Sequence, residues 1–115
     1  MTPQQLIKIT KALADLTRFH LLQTIASRGE TCCGELVRHF PLAQATVSRH
    51  LKTLTEAGLV EVRREGQFHY YRMLHEVLEQ YHQALDAALW ARPVRRDFLT
   101  FRGGPMITQA RFQQE

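Results

Sequence analysis

Gln44, Thr46, Ser48, Arg49 and Lys52 fall within nine residues, with Val47 and Leu51 spaced among them at an interval of four. Side chains of these types recognise and bind; they do not break bonds. A glutamine amide pairs with an adenine edge, an arginine fork with guanine or phosphate, and threonine or serine with phosphate or a thymine methyl. His50 and Lys52 suit a phosphodiester backbone. Arg63, Arg64, Gln67 and His69 form a second donor cluster, fit for a minor groove or flanking phosphates. The other chemistry in the chain is sulfur. Cys32 and Cys33 are adjacent, and thiolates are soft metal ligands and oxidisable nucleophiles.

The elements needed to hold these groups are legible from periodicity. Leu6, Ile9, Leu13 and Leu16 predict a first amphipathic helix, with Pro3 in its opening turn. Asp15 predicts the cap of a second helix, with Phe19, Leu22, Ile25 and Ala26 inward and Gly29 at its end. A short third helix carries Leu36, Val37 and Phe40 and stops at Pro41. A fourth spans about Ala43 to Ala57, burying Val47, Leu51 and Leu54 and ending at Gly58. The period then drops to two. Leu59 to Arg64 and Phe68 to Met73 read as strands joined near Glu65-Gly66-Gln67. Leu74 to about Ala91 is helical again, with Leu78, Tyr81, Leu85, Ala88 and Leu89 on one stripe, and Pro93 closes it.

The expected fold is therefore mainly α: a winged helix-turn-helix of about five helices with a two-stranded β-hairpin wing. Residues 1–91 read as one DNA-binding domain, to which the resemblance described below adds dimerisation, and 92–115 as a basic tail. In such a unit the fourth helix enters the major groove. Any solvated helix face carries polar residues. The succession of helix, turn, helix, glycine stop and basic ribbon is what sets this one apart.

Charge agrees once it is located. The net charge is +4, yet residues 92–115 hold five arginines against Asp97 and Glu115. Within 38–72, Arg38, Arg49, Lys52, Arg63, Arg64 and Arg72 face only Glu56, Glu61 and Glu65. A local basic face is what phosphate attraction needs, since salt screens charges beyond about 10 Å. No apolar run approaches the ~18 residues of a membrane span, so no membrane partner is expected. Two adjacent cysteines make no secreted disulfide framework, so a reducing cytoplasm is the expected compartment, a bacterial one if the resemblance described below holds. There is no phosphate loop, metalloprotease motif or nucleophile elbow, and no enzymatic activity is expected.

Ala12-Leu13-Ala14-Asp15-Leu16-Thr17-Arg18, Thr46-Val47-Ser48-Arg49-His50-Leu51-Lys52, Ala57-Gly58-Leu59-Val60 and Arg63-Arg64-Glu65-Gly66 together resemble the ArsR/SmtB family of bacterial winged-helix repressors. The likeness covers residues 6–91 or so, with the four segments in the family's order. It implies a homodimer on a palindromic double-stranded operator, released when an effector binds. It also implies that the first and last helices form the dimer interface, here Leu6, Ile9, Leu13, Leu78, Tyr81, Leu85 and Leu89. Two departures stand out: Ala43 occupies the place of a capping serine, and Leu16 that of a proline.

Glu30-Thr31-Cys32-Cys33-Gly34-Glu35-Leu36 lies where the family carries a Cys-x-Cys thiol motif, with Gly34 in place of the second cysteine. Thiophilic metalloids usually want three or four ligands, and adjacent side chains diverge. A cysteine at a helix N-terminus has a lowered pKa, which supports a thiol sensor of metalloid, persulfide or oxidant at Cys32 and Cys33. On the last helix, His75, Glu79, His82 and Asp86 share one stripe and are weak candidates for a divalent metal. The family's zinc positions on this helix fall instead on Leu74, Glu76, Ala87 and Trp90, of which only Glu76 is a ligand type. No cofactor is certain. Two alternatives stay open: a winged-helix protein-interaction module without DNA binding, and a regulator that has lost ligand sensing.

Overall fold

A computed structural model describes residues 1–90 of the chain, so the 92–115 tail lies outside the described residues. The order of elements is α1 (Pro3–Leu13), α2 (Leu16–Arg28), β1 (Thr31–Cys32), α3 (Cys33–His39), α4 (Gln44–Glu56), β2 (Val60–Glu65), β3 (Phe68–Met73) and α5 (His75–Trp90). The first compact unit is Met1–Ala84; of the second, which begins at Leu85, the described part is the end of α5.

Local chemistry starts and stops these helices. Thr2 and Gln5 form a reciprocal capping box at α1, with Pro3 in the first turn. Asp15 accepts from the Arg18 amide at the start of α2. Gly29 and Gly58 turn the chain after α2 and α4 with φ of 81° and 83°. The Leu59 amide then bonds back to the Leu54 carbonyl at 3.1 Å, leading the chain into β2.

One apolar cluster holds the first unit together. Leu21, Ile25, Leu36, Val47, Leu51, Leu54 and Leu59 are fully buried, joined by Ile9, Val60 and Met73. Its members come from α1 through β3, so α3 and α4 are fixed by the same core that seats the sheet. Two expectations about these faces are corrected. Leu16 opens α2, 72% exposed, because the chain breaks at Ala14 and Asp15. Phe19 is 43% exposed, while Leu21, which lies beside Leu22 and Ile25 on the helix surface, is the residue inside.

The wing is a sheet of three strands in the order β1-β3-β2, all antiparallel. The expected hairpin is present, with β2 one residue later than its pattern suggested. Glu65 pairs with Phe68 around a two-residue loop, and Gly66 adopts φ of 63° as such a loop requires. The additional strand is β1, which sets Thr31 opposite Tyr71 and Cys32 opposite Tyr70. It ties the start of α3 to the wing.

Candidate nucleic-acid interface

Helix α4 sorts its side chains cleanly. Val47, Leu51 and Leu54 are buried, while Gln44, Ser48, Arg49 and Lys52 are exposed and Thr46 is half-buried. Arg49 Nη2 lies 3.5 Å from Thr46 Oγ1, a weak link that leaves the guanidinium open to solvent. The helix begins without a side-chain cap at Ala43, as its sequence implied.

His50 departs from the expected outward contact. It is half-buried, with Nδ1 3.2 Å from Arg18 Nη1. Arg18 also donates from Nε to the Ala12 carbonyl at 2.8 Å and from Nη2 to the Lys11 carbonyl at 3.3 Å. One guanidinium thereby meets two carbonyls of the last turn of α1 and reaches α4. Arg18 is a positioning residue that the residue chemistry alone missed; its signal lay in the Asp15-Leu16-Thr17-Arg18 segment.

The wing divides its two neighbouring arginines. Arg63 shares a sheet face with Tyr70, and Arg64 points to the other face beside His69. Arg63 forms a bidentate pair with Glu30, both contacts at 2.9 Å, and donates to Glu65 at 2.9 Å while lying 4.7 Å over the Tyr70 ring. The Glu30 carboxylate, then Glu65, holds its pKa above the usual arginine range, and the Glu30 carboxyl is in turn lowered by the Arg63 hydrogen bond. Arg63, expected as a DNA contact, thus already has two carboxylate partners in the unbound protein. Arg72 is likewise paired, with Glu61. Arg64 takes part in no ion pair among the described residues, and both it and Gln67 are exposed. His69 is half-buried.

The thiols are close to this surface. Cys32 is the N-cap of α3 without a side-chain capping bond, and Cys33 is the first helical residue. Both are free and half-buried. Burial pushes the Cys33 thiol above its ordinary value, the Ser48 hydroxyl on α4 pulls the other way, and Cys32 adds to the rise. Cys33 therefore departs from the lowering expected at a helix N-terminus, chiefly because burial disfavours its thiolate. Burial, then Cys33, also raises the Tyr71 phenol. Cys32, Cys33, Gln44, Ser48 and Tyr70 border one groove of about 710 Å³ between α4 and the wing.

Elsewhere the candidates are scattered. His75, Glu79, His82 and Asp86 are all exposed on α5, and no three His, Cys, Asp or Glu side chains converge among the described residues. Of the residues expected at a dimer interface, Ile9 is only 2% exposed and belongs to the protomer's own core, a correction; its neighbour Ile7 is the exposed one. Leu13, Leu78 and Tyr81 pack against that core, and the Tyr81 hydroxyl meets Thr10 Oγ1 at 2.8 Å. Leu6 and Leu85 are half-buried, and Leu89 is 77% exposed. Among the described residues no helix is long and apolar enough to cross a membrane.

Comparison with known proteins agrees with this geometry. Residues 15–62 match the family described as bacterial regulatory protein, arsR family. An arsenical resistance operon repressor of Staphylococcus xylosus is 38% identical over 86 residues, covering 75% of this chain and 82% of that protein. The arsenic resistance transcriptional regulator ArsR1 of Pseudomonas putida is 46% identical over 69 residues, covering 60% of this chain and 54% of its own. Among solved structures, an ArsR-like transcriptional regulator from Rhodococcus superposes with a TM-score of 0.71 at 26% identity, covering 85% of this chain and 92% of that one. A homodimeric winged helix-turn-helix DNA-binding domain from Mycobacterium bovis gives 0.62 at 31% identity, covering 74% and 79%. With identity carried over most of a relative's length and the same fold beneath it, this chain belongs to the arsR family of bacterial regulatory proteins, DNA-binding regulators of transcription.

Proposed function

We propose that this chain acts as a homodimeric repressor on a palindromic operator, reading bases with α4 and holding phosphates with the wing. The observation that carries this is the division of α4: three buried aliphatics lock it to the core while Gln44, Ser48, Arg49 and Lys52 stand clear. Gln44 and Arg49 read base edges, Thr46 and Ser48 meet phosphate or a thymine methyl, and Lys52, Arg64, Gln67 and His69 serve the backbone or minor groove. His50 and Arg63 act indirectly, by holding α4 and the wing in place. Helices α1 and α5 form the dimer contact, in keeping with the homodimeric relative.

Selection of binding duplexes from a random library tests this reading. The enriched site is expected to be a palindrome with half-sites about 34 Å apart or a multiple of that, the spacing that two-fold related helices impose. Gln44→Ala with Arg49→Ala is expected to abolish the sequence preference. Unchanged preference in that variant overturns the assignment.

The release signal in this reading is a thiophilic agent acting at Cys32 and Cys33. Support comes from the thiols' place beside α4 and from relatives named for arsenical and cadmium resistance. Trivalent arsenic is therefore the first effector to test, ahead of persulfide and peroxide. Arsenite is expected to weaken operator binding of the wild type and not of the Cys32→Ser, Cys33→Ser variant. Indifference of the wild type to all three agents refutes thiol sensing.

A further inference from the structure

Helix α4 and the β2–β3 hairpin stand on either side of the groove that contains both cysteines. In duplex DNA a single sugar-phosphate strand separates each major groove from the next minor groove. With α4 in the major groove and the wing in the minor groove, the surface between them faces that strand. We propose that this groove seats one DNA strand, and that DNA binding and modification of Cys32 or Cys33 are therefore mutually exclusive. The proposal rests on the DNA-reading function above and adds the route by which a thiol signal would act: direct occlusion of the strand's seat, with no relay through the fold.

The groove's chemistry fits a phosphodiester. Gln44, Ser48, Gln67 and His69 offer hydrogen-bond donors along its borders. The two carboxylates at its margin are both occupied by cations: Glu30 is held by Arg63, and Glu35 by Arg28 and Arg38. Phosphate thus meets donors and neutralised acids. Cys33 shares this surface, since it lines the same groove as Ser48 of α4. A sugar-phosphate strand seated along Ser48 competes for this groove with a group attached to the Cys33 sulfur. Cys32 opens on the same groove from the β1 edge, opposite Tyr70.

Occlusion and a relayed release differ in one respect that is simple to measure. If the strand covers the thiols, only unbound protein reacts. If the signal is relayed, the thiols of the DNA complex stay open and react first. The dimer is treated with iodoacetamide at about pH 8.5, near the ordinary cysteine value, with and without the selected operator duplex. In this reaction the thiolate sulfur displaces iodide and the thiol proton passes to the buffer. Mass spectrometry follows each cysteine separately.

With free operator at about tenfold its Kd, the alkylation rate of at least one of the two cysteines is expected to fall about tenfold, in proportion to the unbound fraction. A scrambled duplex at the same concentration and salt is expected to give little protection. Equal rates for both cysteines in bound and free protein overturn the proposal. This measurement needs no variant and no modified protein that must stay folded. Cys32→Ala and Cys33→Ala, each alone, then show which thiol the strand covers. Failure to bind any selected duplex overturns the DNA-reading function itself, whereas binding without protection overturns only the occlusion.

Discussion

Arg63 and Arg64 carry the same charge at adjacent positions, but strand alternation sends them to opposite faces of the wing, where their surroundings differ. Arg63 meets Glu30, 33 residues earlier in the chain, and Glu65; Arg64 meets solvent. A cation that releases no counterion on binding contributes nothing to the salt dependence of DNA affinity. Arg64→Ala is therefore expected to shrink the slope of log affinity against log salt by about 0.9, the value of one lost phosphate contact. Arg63→Ala is expected to change that slope by much less while loosening the wing against β1. Equal slope changes in titrations of the two variants would contradict this division. Asp15 makes a separate point. Its carboxyl is held below the ordinary 3.8 chiefly by the hydrogen bond from the Arg18 amide. A depressed folded value means stabilisation that is present above 3.8 and lost as pH falls through the folded value. Asp15→Ala is expected to lower Tm at neutral pH, with the gap to wild type closing in strong acid; a gap that is constant down to pH ~2 argues against a charged cap.

Helix α4 is secured from beneath and not at its start. Its three inward aliphatics are fully buried, so Leu51→Ala is expected to cost about 2–5 kcal/mol in urea denaturation, through lost transfer energy and the cavity left behind. Ala43 leaves the first amides of the helix without a side-chain acceptor, and Ala43→Ser is expected to add about 0.5–2 kcal/mol. The pattern of α4 was readable because 3.6-residue periodicity, a proline before it and a glycine after it all coincide. The second helix was read less well. Phe19 looks like a core residue by type, yet the core selects the angular position of Leu21, Leu22 and Ile25. β1 carried no signal of its own, because two residues show no alternation; it is a strand only because β3 offers a free edge.

For the whole molecule, the exposed apolar residues at the far end of α5 and on α1 are what the proposed dimer would cover. Leu89 is 77% and Ile7 49% exposed. Leu89→Glu is expected to convert the dimer to a monomer in sedimentation experiments and to weaken operator binding, because two half-sites then bind independently. A dimer that survives this change would place the contact elsewhere. Ile9 shows why type and spacing did not suffice here: the first helix has two apolar sides, and only packing decides which one the protomer keeps for itself.

What the amino-acid sequence determined by itself was the order of the five helices and the hairpin, the outward face of α4, the uncapped Ala43 and the family. These follow from local periodicity, turn residues and short motifs, which depend on neighbours in the chain. The tertiary structure alone decided which arginine of the wing is free, that His50 is tied to Arg18, that burial raises the Cys33 thiol, and that both cysteines open on the groove beside the recognition helix. Each of these depends on contacts between residues far apart in sequence. Charge pairing and desolvation act over a few ångströms of space, and no spacing along the chain records them.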